Sequence, residues 1–388
     1  MNKFQSIWKT LGPGFLYAGA AVGVSHLVQS TKAGAQYGFL LIGVVIASNF
    51  FKYPFFEAGP RYASATGESL IKGYERIGKW AVWLFAILTF STAFIIQAAV
   101  TVVTAVLLNN LVGLNWPAYA SSALLLLICS SVLMFGKYHL LDKVIKWVVV
   151  ILSVTSVVAF ARASGIETNV HLFPNWIWNE TSFIFLFALM GWMPAPMDIS
   201  AWQSLWTVEK KNDNKGHFNL KEALRDFHIG YWGTAILALI FLALGALVLF
   251  AQGIDLSNLK SGNDFADKFI SMYTQTLGNW TKPIIAIAAF ATMFSTTITV
   301  LDGAPRVFSE LGTTLFNQAN HKNRIYQYAV LIISFGGLAL IWLYAGKDTM
   351  GKLIQIATIT SFLTAPLISA LNYKLIFSKH TPAYAKPR

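Results

Sequence analysis

The sequence predicts an all-α polytopic membrane protein of about ten transmembrane helices, set as a five-plus-five inverted repeat with broken first and sixth helices. Composition is the first ground: of 388 residues, 55% are hydrophobic and 12% charged, about half the charged share of an ordinary soluble domain. Local runs are the second. Trp80 to Gly136 contains no Asp, Glu, Lys or Arg, and a helix needs about 20 apolar residues to cross the hydrocarbon. That stretch therefore reads as two spans joined at Asn109, Asn110, Gly113, Asn115 and Pro117. The third ground is the position of two glycine- and proline-rich interruptions, one in the first apolar window and one in the sixth.

In chain order, the windows lie near 13–35, 39–58, 80–108, 117–135, 144–162, 181–206, 229–251, 283–303, 326–345 and 353–373. Basic residues fix their direction, because cytoplasmic loops hold the excess of Lys and Arg. With the amino terminus inside, inner segments hold 21 of the 29 Lys and Arg residues and outer loops hold 6. Both termini are thus expected in the cytoplasm, and a bacterial inner membrane is the expected location. The net charge of +12 is assigned to lipid head groups rather than to nucleic acid. A single domain is expected, with repeats at 11–163 and 181–374 and a short surface helix between Glu209 and His228. Lys3 and Lys9 precede an apolar run, but Gly12-Pro13-Gly14 interrupts it, so it reads as a retained span and not as a cleaved signal. Cys129 lies within a span, where a packing role is expected.

The first interruption holds Gly19, Gly23, Val24, Ser25 and His26; the second runs Gly191-Trp-Met-Pro194-Ala-Pro196-Met-Asp198. Proline removes a backbone donor and glycine weakens a helix. Broken helices persist in lipid only around a protein-lined cavity, and breaks at equivalent places in two halves mark a midplane transport site. The candidate substrate site is therefore Gly23, Ser25, His26, Met190, Met193, Ala195 and Asp198. His26 can ligate a transition metal through a neutral nitrogen, titrate, or only bond to an unwound carbonyl. Asp198 can hold a cation, take a proton, or pair with Lys32. Met193 offers a soft thioether, or packing alone. His26, Met193 and Asp198 are the candidate metal ligands. Asp302 and Arg306, four apart, suggest an inner ion pair, while Lys52, Glu57 and Arg61 read as snorkelling charges.

Leu11-Gly-Pro-Gly-Phe, Lys32-Ala-Gly-Ala-Gln-Tyr-Gly, Met193-Pro194 and Ser295-Thr-Thr-Ile-Thr resemble the Nramp family of divalent-metal transporters. The resemblance covers most of the chain and implies the LeuT-type fold. It implies a metal site on an Asp-Pro-Gly-Asn motif in the first span, where this sequence has Gly23, Val24, Ser25 and His26. The family's Met-Pro-His becomes Met193-Pro194-Ala195. Its third-span acidic pair falls near Thr92 to Gln97, where no carboxylate stands. In LeuT-like proteins, hydroxyls on the eighth span help bind sodium, which makes Ser295, Thr296 and Thr297 candidate coupling-ion residues, together with Gln97 of the third span.

Gly73 to Lys79 imitates the start of a phosphate loop, but Trp80 stands where a Ser or Thr is required. No metalloprotease or hydrolase motif occurs. An enzyme is not expected, nor a cofactor, nor an obligate protein partner. The expected function is secondary transport of a small cation, a divalent metal in the manner the resemblance implies, with manganese or iron moved only weakly by proton coupling. Its rivals are transport of a small organic solute on the same fold, and a non-transporting membrane sensor.

Overall fold

The computed structural model describes residues 12–135, 138–165, 170–176, 179–213, 218–254, 256, 262–317, 319–346 and 348–387, with backbone alone for 138–149. Leu11, and with it the first residue of the Leu-Gly-Pro-Gly-Phe motif, lies outside that description. Helix occupies every predicted span. The elements are α1 (Pro13–Ala21), a π-helical turn Val24–Ser30 leading into α2 (Thr31–Tyr37), α3 (Ile42–Thr66), α4 (Leu70–Ile77), α5 (Lys79–Val112), α6 (Ala118–Met134) and α7 (Tyr138–Ala163). The second half holds α8 (Glu180–Trp192), α9 (Ile199–Asp213), α10 (Leu220–Leu244), α11 (Gly262–Leu277), α12 (Lys282–Phe316), α13 (Lys322–Leu343) and α14 (Thr349–Ile376).

Local chemistry sets the ends. Gly113 takes φ 71° to close α5, a left-handed cap open to glycine at little cost. Asn219 and Glu222 form a reciprocal capping box at the start of α10. This corrects the expected surface helix: Leu220 to His228 are the first turns of the long α10, and Glu209 belongs to the end of α9. Among the described residues, five helical stretches are long and apolar enough to cross a membrane on their own, including Lys79–Val112 and Asn279–Phe316. The first and sixth spans do not qualify because each is two half-helices.

Among the described residues, α5 and α12 share the most extensive helix-to-helix contact and form a central seam. Around it, α1 packs on α10, α9 on α3, and α8 on α14. Phe50, Phe51, Phe90, Leu127, Phe335, Trp342 and Leu363 are all exposed on the outer surface, as a lipid-facing wall requires. The first span is pressed against α10 at two depths. A Cβ on Gly14 would lie 2.2 Å from the Asp226 carbonyl oxygen, and one on Gly34 would lie 1.9 Å from that of Leu242. Glycine thus allows backbone-to-backbone approach on both sides of the break, as is usual for closely packed membrane helices. Asp226 also accepts from the Gly12 and Gly14 amides at 3.1 and 2.7 Å, which satisfies the first donors of α1.

Candidate functional site

Both predicted breaks are present. In the first, α1 stops at Ala21 and regular winding resumes only after Gly23. A Cβ on Gly23 would stand 2.7 Å from Cγ2 and Oγ1 of Thr296. The space that a first-span carboxylate would need is therefore filled from α12.

His26 is fully buried. Its Nε2 donates to the Thr234 carbonyl oxygen at 2.9 Å, and Nδ1 lies 2.8 Å from the Ser25 hydroxyl, which itself donates to the Ala21 carbonyl at 2.6 Å. The Nε2 contact ties the first span to α10, while Nδ1 is matched to the neighbouring Ser25 within the first span.

In the second break, α8 ends at Trp192, Met193 is extended, and α9 starts at Ile199. Ending a helix strands its last carbonyls, and their partial negative charge attracts a cation. Lys52 supplies one: its ammonium donates to the carbonyls of Met190 at 2.6 Å and Gly191 at 2.9 Å. Lys52 is thus a cap on the broken helix and not a snorkelling charge. The Met193 side chain packs among Ala33, Leu41, Val45, Leu189, Ala238 and Leu242, while Ala195 is fully buried in the main core.

Asp198 is 1% exposed. Its Oδ1 accepts from Thr89 at 3.3 Å and Thr92 at 3.4 Å, both on α5, and its Oδ2 has no hydrogen-bond partner. Among the ion pairs of the described residues there is none between Asp198 and Lys32. Lys32 instead lines a cavity of about 750 Å³ with Gln29, Gln36, Phe185, Asp348 and Gln355. Among the described residues, no three His, Cys, Asp or Glu side chains converge as a metal cluster would.

The hydroxyl set divides in two. Thr297 Oγ1 bonds with Thr104 at 2.7 Å, and Gln97 donates to Thr101 and to the Thr297 carbonyl at 3.0 and 3.4 Å; this pair knits α5 to α12. Thr296 Oγ1 faces the first break, 2.9 Å from the Gly19 carbonyl oxygen. The Asp302–Arg306 pair forms: Arg306 reaches Asp302 at 2.7 Å and also Glu209 at 2.6 Å. Glu57 meets Arg61 at 2.7 Å and His228 at 3.0 Å.

Sequence reasoning missed Lys52, Thr89, Thr92 and Thr234 as partners of the breaks. An intramembrane lysine is itself a signal that pointed to Lys52. Thr234 contributes only a backbone carbonyl, so its side chain carries no such signal.

The chain is similar to known proteins in sequence and in fold. The family model described as natural resistance-associated macrophage protein-like matches residues 14–383. An uncharacterized protein of Pasteurella multocida is 37% identical over 97% of this chain and 86% of its own length. A divalent metal cation transporter of Brucella suis is 30% identical over 29% of this chain and 25% of its own. The structure of a manganese transporter from Eremococcus coleocola superposes with a TM-score of 0.70 at 16% identity, covering 100% of this chain and 84% of that one.

Proposed function

The chain belongs to the Nramp family and is an integral multi-pass membrane protein, and from that premise we propose that it carries a small cation across a bacterial cytoplasmic membrane, both termini inside. The relatives named as manganese and divalent metal transporters point to a divalent metal ion as the cargo class. The observation that carries the reading is Asp198, a carboxylate 1% exposed beside the sixth-span break with one oxygen unpartnered. Burying such a charge without a counter-charge is costly, and a passing cation or proton offsets that cost. Oxygen donors at the break, with the carboxylate, suit a hard or borderline cation.

The same geometry supports weak retention of a divalent ion. Thr296 fills the place of the missing first-span carboxylate, and the Lys52 ammonium occupies carbonyls of the sixth-span break. One negative and one positive side chain leave little net charge for a doubly charged cargo. Transport proceeds by alternating access, with the two broken spans rocking against the seam of α5 and α12; the repeats at 11–163 and 181–374 define the two halves. The Arg306–Glu209 pair, joining α12 to α9, supports closure on the inner side. The role assigned is that of a carrier, with no catalytic residue, resident cofactor or protein partner.

A second reading is favoured by the cavity of about 750 Å³, a volume that suits a small organic solute. Flux into liposomes holding the purified protein separates the two. Uptake of manganese or another metal ion above protein-free liposomes supports the first, and uptake of an amine or amino acid alone supports the second. Absence of any flux contradicts both.

A further inference from the structure

We propose that the cavity of about 750 Å³ lined by Lys32 binds a small organic solute by its carboxylate, with Lys32 as counter-charge and the side-chain amides of Gln29, Gln36 and Gln355 as donors. As a binding site it stands on its own; as the place of a cargo it rests on the organic-solute reading above.

Helical spacing sets the placement. Gln29, Lys32 and Gln36 stand three and four residues apart, which puts them on one face of the segment that leads from the first break through α2. All three line the cavity, and Gln355 reaches it from α14. Gln29 is 3% exposed, and its amide makes no hydrogen bond among the described residues. A buried amide without a partner is costly, and the cavity it lines is where a partner can enter. The side-chain amides of Gln36 and Gln355 likewise make no hydrogen bond among the described residues.

Charge then selects the partner. Among the described lining residues two are charged, Lys32 and Asp348, and they are not equivalent. Asp348 caps α14, accepting from the Gly351 amide at 3.1 Å, so the positive end of that helix offsets its charge. The Lys32 ammonium has three donors and can serve a carboxylate alongside a protein neighbour. A metal ion or a simple amine entering here meets a charge of its own sign. An apolar solute would strip water from the amides and return no hydrogen bond. A carboxylate accepts from ammonium and amide together, in charge-assisted bonds. Phe185, Ala188 and Ile354 line the same space and give a carbon body the apolar contact that an inorganic anion would not use. The place is separate from Asp198, whose partners Thr89 and Thr92 are on α5.

The donors come from two bodies, the broken first span and α14. A carboxylate held by both fastens them in one arrangement and favours that conformation over others.

Titration calorimetry on the full-length protein in detergent tests this. The probes are pyruvate, a carboxylate alone, and L-alanine, a carboxylate with an ammonium; methyl pyruvate and ethylamine are the counterparts that lack the carboxylate. At least one of the first two should bind, and neither of the last two. Lys32→Gln should weaken that binding by about tenfold or more, the scale of a hydrogen bond to a charged group, and Gln29→Leu by about fivefold. Lys32→Arg, which keeps the charge, should retain most of it. Should Lys32→Gln fail to fold, the contrast between pyruvate and its methyl ester on the parent gives the same answer. Binding of neither carboxylate, equal binding of pyruvate and its ester, or unchanged affinity in a folded Lys32→Gln would overturn the proposal. Carboxylate binding that depends on Lys32, without carboxylate flux into liposomes, leaves the site standing and removes the organic-cargo reading. Carboxylate flux that is indifferent to Lys32→Gln supports that reading and overturns the site.

Discussion

The ammonium of Lys52 donates to the carbonyl of Met190 at 2.6 Å, so a residue of α3 occupies an acceptor at the end of the broken α8. A cation approaching that break meets a carbonyl already taken by a tethered positive charge. Lys52→Met removes both the charge and the cap. We expect it to lower stability by about 2 kcal/mol, the scale of a hydrogen bond from a charged donor, and to tighten manganese binding severalfold by titration calorimetry. Unchanged affinity in a folded Lys52→Met protein would mean that the ammonium does not compete with cargo.

His26 holds the Thr234 carbonyl at 2.9 Å and the Ser25 hydroxyl at 2.8 Å, and this makes it a strut between the first span and α10. His26→Ala should cost about 2 kcal/mol by leaving buried groups unpaired. His26→Gln, whose amide can donate to Thr234, should recover part of that. Cation affinity should be the same in all three proteins; a tenfold loss in His26→Gln at full stability would instead identify the imidazole as a ligand.

The close approach of the first span to α10 leaves no room at Gly34, where a Cβ would sit 1.9 Å from the Leu242 carbonyl oxygen. Gly34→Ala should therefore force the helices apart, at about 3 kcal/mol or more, and reduce accumulation in the membrane. Gly43→Ala, with nothing within 4 Å, should be tolerated. Equal accumulation of the two variants would show that the crossing relaxes without penalty.

Topology can be read by labelling. Single cysteines at Asp213, at the end of α9, and at Lys268, on α11, both exposed, should react with an impermeant reagent from opposite sides on a Cys129→Ser background. Labelling of both from one side would reject an even number of spans with both termini inside.

Much of the fold was legible because lipid enforces a simple code. Apolar windows and the Gly-Pro interruptions at Gly23 and Pro194 have a direct physical reading in a bilayer, and each corresponds to an element of the structure. The site was less legible, since proximity across helices has no periodic signature. Nothing in the sequence brings Thr89 and Thr92 of α5 to Asp198 in preference to Lys32, which lies in the cavity instead. Nor does local sequence divide Thr296 from Thr297, whose hydroxyls turn to the first break and to Thr104. Adjacent residues on a helix point about 100° apart, and only the packing of α12 decides which neighbour each one meets.

If the Asp198 carboxylate holds the transported cation, Asp198→Asn removes the charged ligand with nearly unchanged shape. Its Thr89 and Thr92 contacts can persist through the amide oxygen, so the variant should fold. Initial rates of manganese uptake into liposomes, for parent and variant at equal reconstituted amounts, are the measurement. Measurable uptake by the parent is expected, with a loss of at least about tenfold in Asp198→Asn, consistent with removal of a buried charged ligand. Equal uptake by the two proteins would contradict that role.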